Sequence, residues 1–179
     1  MESTGTNPAH SRQIIEMLTV ANEYCLFIEK TTEYTLEQLL GFLQKVAPLL
    51  YIKGALLPEI EVLNPEVDER FVTEEQWTDI FADLKTKFGD DDTFWSFDPL
   101  NFAADDARKL SMAEIFADVY QDMKDFVLLY QKNTTATQEN AASSVRNLFF
   151  NHWGPRIASA MNQLHFLLYR NYKSDDLIY

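Results

Sequence analysis

The sequence predicts an all-α, single-domain bundle of five to six mostly antiparallel helices, with one long acidic and aromatic loop. Three observations point there. Apolar residues recur at spacings of three and four through most of the 179 residues. Capping-box patterns open several of these periodic stretches. Five Gly and six Pro are too few for the closely spaced turns of an all-β fold. A chain that is 46% hydrophobic and 13% aromatic also has the apolar mass for a sizeable core. One domain over residues 1–179 is the expectation, with residues 1–10 as a flexible N-terminus.

The first helix is expected over residues 11–30, with Ile14, Leu18, Ala21, Cys25 and Ile28 on one stripe. The second opens at Thr35-Leu-Glu-Gln38, where the Thr hydroxyl and the Gln side chain can satisfy orphan backbone N–H groups. Pro48 lies inside its pattern, so a kink is expected near Leu43 and Gln44. Residues 54–72, with Pro58, Pro65 and several carboxylates, read as loop. Thr73-Glu-Glu-Gln76 starts a third helix presenting Trp77, Ile80, Phe81, Leu84 and Phe88, and Gly89 ends it. Residues 89–110 form the long connection, rich in Asp and aromatic side chains. Ser111-Met-Ala-Glu114 then opens a fourth helix, whose wide apolar face runs from Ile115 and Phe116 to Tyr130. A fifth helical segment begins near Thr137 and reaches about residue 172. It is either one kinked helix or two, interrupted at Gly154-Pro155. No strand-like alternation stands out.

A net charge of −13 disfavours binding to nucleic acid and to anionic membrane surfaces, both of which require a basic face. The last third is the exception. Residues 127–179 carry Lys132, Arg146, Arg156, Arg170 and Lys173 against Glu139, Asp175 and Asp176. Cys25 is the only cysteine, which excludes an intrachain disulfide and a cysteine-based zinc site. The first residues lack a basic and then apolar pattern, and no run has the roughly 18 apolar residues of a membrane span. A cytoplasmic location is expected.

Recognisable catalytic patterns are missing. There is no phosphate-binding glycine loop, nucleophile elbow or His-Glu-x-x-His. A di-iron bundle requires Glu-x-x-His, and none of His10, His152 and His165 has a carboxylate three positions before it. Asp90-Asp91-Asp92 lacks the alternating spacing of a calcium loop and reads as a solvated run of charge. Cys25, on an apolar stripe, reads as a small buried hydrophobe, and no cofactor or metal is expected.

One polar constellation stands apart. His152 and Arg156 are four residues apart, hence on one helix face if the helix is continuous, with Trp153 beside them. A guanidinium turned toward the core requires an anionic partner. Asp122, at the edge of the fourth helix's apolar face, is the internal candidate, and Tyr120 could add a hydroxyl. The set Tyr120, Asp122, His152, Trp153 and Arg156 is either a polar cluster tying the last segment to the fourth helix or a ligand site between helices.

Several segments resemble an uncharacterised bacterial family, domain of unknown function five-zero-six-three. They are Thr19-Val-Ala-Asn-Glu-Tyr-Cys25, Leu49-Leu-Tyr-Ile-Lys-Gly-Ala-Leu-Leu-Pro58, Val72-Thr-Glu-Glu75, Phe97-Asp-Pro99, Ile115-Phe-Ala-Asp-Val-Tyr-Gln-Asp-Met-Lys-Asp-Phe126 and His152-Trp-Gly154, followed by Ala160 and Leu164-His165. The resemblance implies a small all-helical cytosolic protein and assigns no activity. Two places after the Trp-Gly pair it implies a polar residue, frequently His. Arg156 stands there, which speaks against a metal role for the position. The expected function is a non-enzymatic helical interaction or regulatory module, whose company is a second copy or a protein partner. The alternative is a small-molecule or anion-binding protein, or an enzyme, with a polar pocket around His152 and Arg156.

Overall fold

The computed structural model describes residues 7–97 and 107–170, and these form six α-helices and one short hairpin. The elements are α1 (Arg12–Ile28), α2 (Leu36–Ala55), α3 (Glu74–Phe88), β1 (Thr93–Ser96), β2 (Arg108–Ser111), α4 (Met112–Gln131), α5 (Thr135–Asn151) and α6 (Trp153–Tyr169). Thr35 and Thr73 each accept from the backbone N–H three residues on, and Gln38 and Gln76 return the bond, so α2 and α3 start where the sequence predicts. Helix α2 continues through Pro48 without interruption.

Helix α4 occupies the centre, touching α1, α3, α5 and α6. Its burial exceeds the single face that the spacing implies, because Met112, Ala113, Ala117 and Leu129 are buried along with Phe116, Val119, Met123 and Phe126. Cross-links define the directions of its neighbours. Arg156 meets Asp118 and His152 meets Asp122, so α6 runs antiparallel to α4. Tyr24 meets Phe116 and Glu29 meets Lys124, so α1 runs parallel to it. No helix among the described residues is long and apolar enough to cross a membrane.

Several expectations require correction. The predicted loop 89–110 contains the antiparallel hairpin, in register Thr93↔Ser111 to Ser96↔Arg108. β1 alternates in exposure, but its outward residue Trp95 is as aromatic as its inward neighbour Phe94, so the residue types do not alternate. Residues 98–106 of that loop, residues 1–6 of the expected flexible N-terminus and residues 171–172 of the fifth segment lie outside the described residues. Asn7–His10, expected within that N-terminus, are instead held on α5, through Asn7 to Glu139 and His10 to Gln138. Asp92 is no solvated loop residue: it is buried, and its carboxylate accepts from the Ala113 N–H and the Ser111 hydroxyl at the start of α4. There the N-terminal end of the helix favours negative charge. Helix α5 starts at Thr135, two residues before the expected start near Thr137, with Thr134 as its cap. The break in the fifth segment falls at His152 (φ −128°, ψ −84°), not at Gly154-Pro155. Pro155 sits in the first turn of α6, where its missing N–H has no intrahelical partner to lose.

Two glycines decide how α2, α5 and α6 meet. A Cβ on Gly54 would lie 2.3 Å from the Trp153 ring and 2.5 Å from the Phe149 ring. One on Gly154 would lie 2.2 Å from the Phe149 carbonyl oxygen. Close backbone approach therefore seats Trp153 in the core, where its indole N–H donates to the Val145 carbonyl. Gly54→Ala is expected to lower unfolding free energy by about 1–3 kcal/mol through overpacking. Gly41→Ala, with open space at the same helix's surface, is expected to raise it by about 0.5–1 kcal/mol. Urea unfolding of the two variants reads both signs.

Candidate functional site

Along α4 the carboxylates Asp118, Asp122 and Asp125 follow one another within two turns, and each holds a different part of the chain. Asp125, 4% exposed, accepts from the backbone N–H groups of Phe71 and Val72 at 2.7 and 2.9 Å and from Arg70 at 3.1 Å. Asp122, 3% exposed, accepts from His152 Nδ1 at 2.5 Å, with Arg70 at 3.6 Å from its other oxygen. Asp118 accepts from Arg156 Nε at 2.7 Å and from the Trp77 indole N–H at 3.1 Å. A carboxylate removed from water requires such donors, and here they arrive from α3, from the segment before it, and from the α5–α6 junction.

The five residues singled out in the sequence do not converge on one point. His152, Asp122 and Arg156 come together, but the pairing differs from the expected one. Asp122 holds His152, and Arg156 reaches one turn further to Asp118, because α6 starts afresh after His152 and runs antiparallel to α4. Arg156 also donates to the His152 carbonyl at 3.2 Å. The two side chains are half-buried rather than core-facing, at 31% and 36% exposure. Tyr120 lies on the α1 side of α4, where its hydroxyl donates to Glu29 at 2.9 Å; burial and that acceptor push its pKa upward. Trp153 is core. Asp125, Asp118, Arg70 and Trp77 were the unrecognised members. The i, i+4, i+7 spacing of the three aspartates was the available signal, but Asp118 and Asp125 read as ordinary polar positions of an amphipathic helix.

The space around this cluster is small. Between Arg70, Asp122, Asp125 and Ser144 lies a crevice of about 10 Å³, room for one water at most. A larger, open groove of about 390 Å³ lies beside Arg156, between the hairpin and the first turns of α4 and α6. Arg108, Arg156, Glu114 and Asp118 supply its charges, and Leu110 and Ile115 its apolar wall. Phe97, just beyond β1, also lines it and is 70% exposed, whereas Trp95, 67% exposed, stands on the other face of the strand. Phe94 turns inward against the core. Among the described residues no group of three His, Cys, Asp or Glu side chains is placed to hold a metal. Cys25 is buried on α1, and desolvation pushes its thiol pKa upward, which disfavours the thiolate.

A family model described as a domain of unknown function, DUF5063, matches residues 8–170. The chain belongs to that family. Its fold is shared with protein BF1032 from Bacteroides fragilis, whose crystal structure was determined as a structural genomics target. The two match with a TM-score of 0.80 and 28% sequence identity, over 90% of this chain and 95% of that one. No curated protein matches the chain at a significant level. The DUF5063 assignment brings a fold and no activity.

Two outcomes follow from the cluster. Asp125→Ala leaves two backbone N–H groups and Arg70 without their acceptor and is expected to cost about 2–4 kcal/mol, with Arg156→Leu milder, at about 1–2 kcal/mol. Equal losses in denaturant unfolding would show that the burial difference between Asp125 and Asp118 does not set the energetics. Cys25 is expected to resist a thiol-specific reagent in the native protein and to react at once in denaturant, which absorbance of the released chromophore reports.

Proposed function

We propose that this protein is a non-enzymatic helical interaction module, one domain working in the reducing cytoplasm, whose partner contacts the β1–β2 hairpin. The observation that carries this reading is the pair Trp95 and Phe97, large aromatic side chains held in water on a strand that packs its other face on the core. Exposed aromatic anchors of this kind are enriched where proteins meet. Beside them the aspartates of α4 are already matched within the chain: Asp118 accepts from Nε of Arg156 on α6, whose Nη1 donates to the His152 carbonyl. Such internal pairing supports a positioning role for Asp122, His152 and Arg156. The lone, buried Cys25 is in keeping with a reducing compartment.

A second reading has its own observation. The buried Asp122 orients the His152 ring, and its Nε2 has no hydrogen-bond partner among the described residues. A histidine held by a carboxylate is the arrangement of a general base, and a small ligand reaching His152 and Arg156 would use it.

Native mass spectrometry of the protein drawn from its own cells separates the two. The interaction reading expects a protein partner or a second copy at fixed stoichiometry, lost in the Trp95→Ala/Phe97→Ala double variant with an unchanged melting temperature. A bound small molecule retained by that variant and lost in His152→Ala would overturn it in favour of the second reading. A bare monomer from both proteins would leave the aromatic pair without a partner and sink the interaction reading.

A further inference from the structure

Two copies of a chain with net charge −13 repel each other unless they meet on a face that carries no acid. Helices α2 and α6 present such a face. Along α2 no Asp or Glu follows Glu37, and α6 has none at all. The two helices lie side by side and antiparallel, with Gln44 bonded to Tyr169 near one end and Gly54 against Trp153 near the other. On the outer side of α2, Leu49, Ile52 and Leu56 follow at i, i+3 and i+7 and are between 41% and 56% exposed. On α6, Phe166 is 62% exposed, and its ring lies 5.9 Å from that of His165. Between these side chains runs a shallow groove of about 190 Å³ lined by Gln44, Pro48, Met161, Leu164 and His165. Lys45 is exposed on the same side of α2, while Lys53 turns away to Glu16 on α1.

We propose that this face binds a second copy of the chain about a twofold axis. The contact is separate from the hairpin surface and does not rest on it. Two helices of 20 and 17 residues packed side by side present a face about 25 Å long and about 20 Å wide, on the order of 500 Å² before side-chain relief is counted. That approaches the roughly 600–1,000 Å² per partner that a stable interface buries. A twofold contact must also be self-complementary. With α2 antiparallel to its copy and the axis passing between Pro48 and Leu49, Gly41 of one chain faces Leu56 of the other. Gly41 offers a notch, since nothing lies within 4 Å of where a Cβ would sit, and the exposed Leu56 fills it. The same axis sets Lys45 beside Ile52 of the other chain, where its methylene stem can cover apolar surface with the ammonium in water. Pro48 and His165 share the groove, so Phe166 lies at the level of the axis and meets α6 of the other chain. An unrelated protein also gains by covering apolar surface, but the lack of acid matters most to a partner that is itself strongly acidic, and a second copy is one.

Sedimentation velocity of the full chain over a concentration series is expected to show a dimer that tightens as salt screens the repulsion between acidic copies. Phe166→Glu and Ile52→Arg should each raise the dissociation constant about tenfold or more, with the far-ultraviolet circular dichroism unchanged because both side chains are exposed. The register makes a sharper demand. Ile52→Glu sets a carboxylate beside Lys45 of the other chain and should weaken the dimer less than Ile52→Arg, although net charge alone predicts the reverse order. The Trp95→Ala/Phe97→Ala variant should dimerise like the parent. A monomer at about 1 mM overturns the proposal, as does a dimer indifferent to Phe166→Glu and Ile52→Arg. Should glutamate at position 52 weaken the dimer as much as arginine, the antiparallel α2 contact falls. A dimer lost in the hairpin variant overturns it too, since the second copy then sits on the hairpin and the interaction reading alone stands.

Discussion

A carboxylate inside a helix bundle has to be met by donors, and in this protein that requirement organises the neighbours of α4. Asp118, Asp122 and Asp125 lie on a helix surrounded by four others, where an unmatched charge would cost several kcal/mol. Each is matched by a group from a different element. Asp125 fixes the backbone just before α3, Asp122 fixes the residue at which α5 gives way to α6, and Asp118 ties α3 to α6 through Trp77 and Arg156. Apolar contacts supply most of the favourable free energy of such a core, but they are non-directional. The aspartates add direction, so the approach of three elements to α4 is specified by geometry as well as by volume.

The other junction is steric. Gly54 and Gly154 let Trp153 and Phe149 lie against backbone, which brings α2, α5 and α6 to one place. The break at His152 belongs to the same arrangement. Helix α6 starts anew directly over Gly154, and its second residue has no room for a side chain beside the Phe149 carbonyl. The His152 ring is delivered to Asp122 from this turn, so the polar cluster and the glycine-lined contact position each other. A substitution in either should be felt in both.

Function, on this view, sits away from the buried charges. Exposed Trp95 belongs to the hairpin and Phe97 follows it directly; the inner side of the hairpin packs on the core through Phe94 and Leu110, and its outer side faces water. Asp92 anchors that hairpin to α4: its carboxylate accepts from Ser111 and Ala113, and its carbonyl from the Met112 N–H. A rigid base under an exposed edge suits recognition, because little order has to be gained when a partner arrives.

Helix positions were legible in the sequence because they are local. Thr35, Thr73 and Ser111 cap helices through bonds that span three residues, and the apolar period of α4 needs no distant partner. The hairpin was not legible, since Thr93–Ser96 and Arg108–Ser111 become strands only by pairing with each other. The candidate site was half legible. The sequence put His152 and Arg156 near the fourth helix and required a carboxylate for the guanidinium, but the partner it pointed to, Asp122, holds His152, and Arg156 pairs with Asp118. That pairing depends on where the fifth segment breaks, which is at His152 rather than at Gly154-Pro155. By itself, then, the sequence determined the all-α class, the starts of α2, α3 and α4 and the absence of familiar catalytic patterns, all properties of short-range spacing and composition. Only the tertiary structure decided which charges meet, that Trp153 is core and Tyr120 faces α1, and that the hairpin holds Phe94 inward and Trp95 in water. These follow from contacts between residues far apart in the chain, and no local pattern encodes them.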